Sequence, residues 1–157
     1  VTSSDIPFIV STPTMEIEVL GTVFNVSAYT GESANAVLVE GSVKVSGAES
    51  SGCLLSPGQK ATILEETGDI TVESVETDIY TSWTHGRIQF RDERLEDIMK
   101  EMSRWYDFKV EYEDEYIKEL RFGCCVSRYD SIEPFMDLLI RTGRVSIKKK
   151  DNNYIIY

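Results

Sequence analysis

A chain of 157 residues, 41% apolar and 10% aromatic, can bury one core or two small ones and is too apolar to stay disordered. Its formal charge of −11 argues against a nucleic-acid partner, because neutralising phosphates takes clustered Lys and Arg. No run approaches the roughly 20 apolar residues of a membrane helix, no apolar stretch behind a basic start reads as a signal peptide, and a start at Val1 instead of Met is expected of a piece cut from a longer protein.

The charge is unevenly spread. Residues 1 to 86 hold two basic and twelve acidic groups, a net of −10, whereas residues 87 to 157 hold fourteen and fifteen, a net of −1. Such a shift predicts two domains, expected at 1–77 and 87–157 with a connector at 78–86.

Along the first half, Met15, Ile17 and Val19 alternate with Glu16 and Glu18, the period of a half-buried strand with odd residues inward. Past them the apolar set is Leu20, Phe24 and Val26, on even numbers. A one-residue slip sends every later side chain to the other face, so Gly21-Thr22 must absorb it as a bulge, a corner or a chemically less ordinary bond. Further strands are predicted at 36–39, 42–45, 59–64 and 70–75, separated by turns at Thr30-Gly31, Glu40-Gly41, Ser51-Gly52, Pro57-Gly58 and Gly68-Asp69. The series Val37, Val39, Val43, Val45 keeps one phase through Gly41, so the chain is expected to bend there without changing its inward face. Many short strands and no helical period predict an all-β domain, either a short sandwich or a solenoid-like coil of strands. Trp83, in the connector, is expected to plug the contact between the halves.

The second half predicts an α+β domain. Ile88 and Phe90 read as a strand, Asp92 as an N-cap, and Leu95, Ile98, Met99, Met102, Trp105 and Tyr106 as the inner face of a helix. Strands at 108–112 and 120–126 follow. A second helix begins near Asp130 or Ser131, accommodates Pro134 in its first turn and ends at Gly143. A hairpin turning at residues 150–153 closes the chain, giving the order β-α-β, β-α-β-β.

Little of this composition suits catalysis. His85 is the only histidine and sits in the connector, remote from any triad partner. The carboxylate clusters at 92–97 and 113–115 lack the alternate ligands and central glycine of a calcium loop, and "RTGR" and "SPGQK" lack the spacing of a phosphate cradle. No metal site, cofactor or small-molecule substrate is expected. Cys53, Cys124 and Cys125 fit neither a disulfide framework nor a zinc site; they are expected as buried free thiols, the alternative being a bridge from Cys53 to one of the others. A thiol enzyme would need Cys124 or Cys125 exposed with a depressed pKa.

The segments "VSTPTMEIEVLGTVFNVSAY", "AVLVEGSVKV" and "LLSPGQKATI" together resemble the FecR domain of transmembrane anti-sigma factors: a Thr-Pro opening, a Gly-Thr-x-Phe-x-Val strand, a Gly-x-Val-x-Val strand and a Leu-x-Pro-Gly-Gln turn, in that order. "WTHGRIQFRDERLEDIMKEMSRWYDFKVEY" is similar to the C-terminal domain that follows FecR domains, itself similar to the secretin and TonB short N-terminal fold; the likeness spans about residues 8 to 157. The resemblance implies a periplasmic sensing portion whose full-length protein is anchored in the inner membrane, holds an extracytoplasmic-function sigma factor through a cytoplasmic segment absent here, and meets the N-terminal signalling domain of a TonB-dependent outer-membrane transporter. It also implies a candidate self-cleavage bond, since some members attack the glycine carbonyl of a Gly-Thr pair with the threonine hydroxyl; the matching residues are Gly21 and Thr22. Glycine leaves that carbonyl open and threonine supplies an intramolecular nucleophile. The competing reading is a structural module of an envelope secretion or adhesion system, where similar small α+β units occur.

Overall fold

The computed structural model describes residues 7–19, 21–47 and 52–157. Leu20 and the Ser51-Gly52 turn's first residue, both used in the sequence reading, lie outside them. The chain forms two compact units, residues 1–81 and 82–157.

The first unit holds eight strands: β1 (Phe8–Ser11), β2 (Met15–Val19), β3 (Val23–Ser27), β4 (Ala34–Glu40), β5 (Val43–Gly47), β6 (Cys53–Leu55), β7 (Gln59–Ile63) and β8 (Ile70–Ser74). They make two antiparallel sheets in the orders β1-β2-β5-β6 and β3-β4-β7-β8. The chain lays down two strands in one sheet, crosses to the other for two, and repeats, so the sandwich is wound pairwise. Its core is filled from both sheets by Met15, Ile17, Val19, Val43, Val45 and Leu55 on one side and Ala34, Ala36, Leu38, Ala61 and Ile63 on the other. The Thr-Pro opening is the β1–β2 turn, where Thr12 accepts from Met15 N–H at its hydroxyl and donates to Met15 C=O. Pro57-Gly58 is the corner between β6 and β7: Gly58 has φ +82°, and its amide donates to Leu38 C=O.

One expectation for this unit is corrected. The inward face does change at Gly41, because Ala34, Ala36 and Leu38 point into the core before it and Val43 and Val45 after it. A bulge at the Val23–Phe24 step leaves Val39 without a register partner on β3, and the small inward alanines carry a weaker apolar signal than the outward valines. Val37 is nevertheless fully buried on the outward face, where helix α1 (Thr77–Thr81) packs on β4. Strands β1 and β6 were not predicted, each being too short for a periodic signal.

The second unit opens with a 3-10 turn at Ser82–His85, which carries Trp83. There follow β9 (Arg87–Arg94), α2 (Leu95–Tyr106), β10 (Lys109–Tyr112), α3 (Glu115–Lys118), β11 (Arg121–Ser127), α4 (Glu133–Arg141), β12 (Ile147–Lys150) and β13 (Asn153–Ile156). β9 pairs with β11, and β13 lies between β10 and β12, parallel to the first and antiparallel to the second. Both long helices place their apolar faces in one core, with Leu95, Ile98, Met99 and Met102 meeting Phe135, Met136, Leu139, Tyr154 and Ile156. Asp92 is not the N-cap: it stays in β9 at φ +49°, opposite a register shift between Phe122 and Cys124. The α2 cap is Arg94, whose side chain makes no capping bond; Leu95 N–H donates instead to Leu120 C=O at 2.7 Å. Pro134 falls in the first turn of α4, as predicted.

Candidate functional site

Gly21-Thr22 joins β2 of one sheet to β3 of the other, so the phase change is a corner. Alternation in β2 delivers an odd-numbered face to the core, and the turn must rotate the chain before Phe24 and Val26 can face the same core from the opposite sheet. Gly21 does this at φ +63°, a left-handed conformation natural to glycine, and a Cβ there would meet nothing within 4 Å. The second sheet-to-sheet corner, Gly41 at φ +94°, packs directly against Thr22: a Cβ on Gly41 would overlap the Thr22 methyl and stand 3.2 Å from its Cα. The two corners are therefore stacked.

Thr22 Oγ1 is buried and has no hydrogen-bond partner among the described residues. An unpartnered buried hydroxyl costs roughly 1–3 kcal/mol. It is also a hydroxyl that no acceptor holds away from the carbonyl of Gly21, and Gly21 itself is exposed. Attack of Oγ1 on that carbonyl carbon would close a five-membered ring, transfer the acyl group from nitrogen to oxygen and free the Thr22 amine; water would then split the ester. No side chain accepts the Thr22 proton in this arrangement.

The other candidates are dispersed. His85 is exposed, with Nδ1 3.0 Å from Thr84 Oγ1. The described residues hold no cluster of three or more metal-ligating side chains. All three cysteines are free. Cys124 packs on the core of the second unit, where burial first and Cys125 second push its thiol up to about 11, opposite to what a nucleophilic thiolate requires. Cys125 faces the other side of β11 and is exposed, a correction to the expectation that the thiols are buried. The carboxylates Glu96, Asp97 and Glu119 surround Arg94 at the start of α2 and so serve an ion-pair network.

Comparison with known proteins gives this architecture a family. Residues 1–44 match the FecR protein family and residues 87–156 match the FecR C-terminal family. Two crystal structures from Parabacteroides distasonis ATCC 8503, each described as that of "a putative anti-sigma factor", superpose with TM-scores of 0.83 and 0.82 at 22% identity; the likeness covers 96% of this chain and 71% and 70% of theirs. No curated protein matches significantly. The chain belongs to the FecR family, carrying its N-terminal and C-terminal domains in order. No helix among the described residues is long and apolar enough to cross a membrane.

Proposed function

We propose that this chain is the periplasmic sensing portion of an anti-sigma factor, which receives a signal from the N-terminal signalling domain of a TonB-dependent outer-membrane transporter and controls an extracytoplasmic-function sigma factor through a segment beyond this chain. The observation that carries the reading is the order of the two matched domains, FecR then FecR C-terminal. The fold likeness to proteins described as anti-sigma factors supports it. So does the second unit, whose two strand-helix-strand pieces pack around one core, as the resemblance to the secretin and TonB short N-terminal fold implies. Partner recognition suits strand addition, because both units end their sheets in open edges. The test is a binding titration of this chain against the N-terminal signalling domains of the TonB-dependent transporters of the same organism. Saturable one-to-one binding supports the reading; absence of binding, with both domains folded, overturns the transporter as partner.

The Gly21-Thr22 bond is proposed as a self-processing site within this role. Its support is the buried Thr22 hydroxyl with no partner among the described residues, next in the chain to the exposed residue Gly21 at a corner between sheets. An intact-mass spectrum of fresh protein under denaturing conditions tests it: two fragments summing to the whole plus water, broken between Gly21 and Thr22, support cleavage, and one full-length mass assigns the corner to structure alone.

A further inference from the structure

From the basic strand β12 and its open edge, we infer that the second unit takes up an acidic extended segment of a partner protein. This inference rests on that surface alone, whatever the identity of the partner that signals to the chain.

β12 ends its sheet, since β13 covers only one side of it. Ser146 and Tyr157 exchange both backbone hydrogen bonds, at 2.7 and 3.0 Å. Antiparallel pairing alternates, so Lys148 and Lys150 also turn their backbone groups toward β13, while Ile147 and Lys149 present N–H and C=O to the free edge. An added strand would therefore bond at 147 and 149.

Charge decides what kind of strand fits. Residues 138–150 carry five cations and no carboxylate in a chain of net −11. Two of the five are engaged: Arg144 donates to Arg121 C=O and stacks on Phe122, and Lys149 pairs with Glu133 at 2.9 Å; Arg141 lies apart from the strand, at the end of α4. Lys148 and Lys150 are left on the face opposite Tyr154 and Ile156, which point into the core. Lys109 on β10 shares that face across β13, and Glu111, two residues along β10, is occupied by Asn153, whose amide donates to it at 2.6 Å. Lys109, Lys148 and Lys150 are exposed and make no ion pair among the described residues. Lysines on an edge oppose pairing of two copies through the same strand, because like charges would stand opposite one another. The same lysines attract a strand whose alternate residues are acidic, so the feature that blocks self-association selects the complementary partner.

The test uses the whole chain and a short synthetic peptide alternating glutamate with valine. Expected are saturable binding, new protection of the Ile147 and Lys149 amides from hydrogen exchange, and at least a tenfold loss of affinity in the Lys148→Glu/Lys150→Glu variant, both substitutions being on the surface. The matching peptide with lysine for glutamate should not bind, and N-methylation of the acidic peptide at its hydrogen-bonding residues should abolish binding. Equal binding of the N-methylated peptide, protection mapping to another strand, self-association of the chain through β12, or capture of anionic lipid vesicles with no peptide binding would each overturn the proposal. None of these readouts involves a transporter, so they stand or fall separately from the proposed role.

Discussion

Gly41 and Thr22 touch across two corners of the first unit: the space where a side chain on Gly41 would begin is filled by the Thr22 methyl. At φ +94° an alanine would also meet backbone strain there. Gly41→Ala is expected to destabilise the first unit by about 2–4 kcal/mol, summing overpacking and left-handed strain. Gly21→Ala carries only the strain, on the order of 1 kcal/mol, because nothing occupies its Cβ direction. Denaturant midpoints of the two variants should keep that order; a larger loss for Gly21→Ala would mean the corners are not stacked as described.

Thr22 itself separates structure from chemistry. Replacing it with Val keeps the shape and the methyl that packs on Gly41 while deleting a buried hydroxyl with no partner. Thr22→Val should raise stability, by up to roughly 1–3 kcal/mol, and should give one intact mass even if the natural chain is cleaved. Thr22→Ser keeps the nucleophile and loses the methyl, so it should lower stability while retaining any cleavage. A destabilised Thr22→Val would show that the hydroxyl has a partner after all, such as an ordered water.

The parts of this fold that were legible in the sequence are those where a single periodic signal acts alone. The odd face of β2 and the inner face of α2 were read residue by residue, since nothing competes with alternation in the first or with the 3.6-residue period in the second. Gly41 misled because two local features oppose each other there: core positions filled by Ala34 and Ala36, and a buried Val37 that serves the contact with α1. Asp92 misled because its preference for a helix cap and its tolerance of φ +49° in a bulge look identical in sequence, and only pairing with β11 selects the second. Of the candidate site, the corner at Gly21-Thr22 was legible from phase alone, whereas its contact with Gly41 joins residues that only the winding of the sheets brings together.

The adjacent thiols on β11 should behave as opposites. Cys125 is exposed and Cys124 is packed on the core with its thiol pushed up to about 11 by burial and then by its neighbour. Because the folded state holds that proton more tightly than the unfolded chain, the stability linked to Cys124 is complete below the ordinary thiol range and falls as pH rises toward 11. A maleimide reagent at neutral pH should modify Cys125 rapidly and Cys124 only under denaturing conditions. Cys124→Ser should reduce the alkaline decline in stability, and Cys125→Ser should reduce it less, removing only the smaller contribution of the neighbouring thiol; rapid native labelling of Cys124 would contradict the burial that raises its pKa.

Lys60 anchors α1 to the outside of its sheet. Its Nζ lies 2.7 Å from Glu73, donates to the Tyr80 hydroxyl at 3.2 Å and sits 5.3 Å from the centre of the Tyr80 ring. Burial lowers the Lys60 pKa, but Glu73 and Tyr80 outweigh it and the net shift is upward. The tyrosine contributes in two separable ways, through the ring that covers the ammonium and through one hydroxyl bond. Tyr80→Phe removes only the second and should cost about 0.5–1.5 kcal/mol. Tyr80→Ala removes both and should cost more, about 1–3 kcal/mol, while amides of α1 lose protection from hydrogen exchange. Equal costs for the two variants would place the anchoring in the hydroxyl bond; unchanged α1 exchange in Tyr80→Ala would mean that Val37, fully buried on β4, is enough to hold the helix.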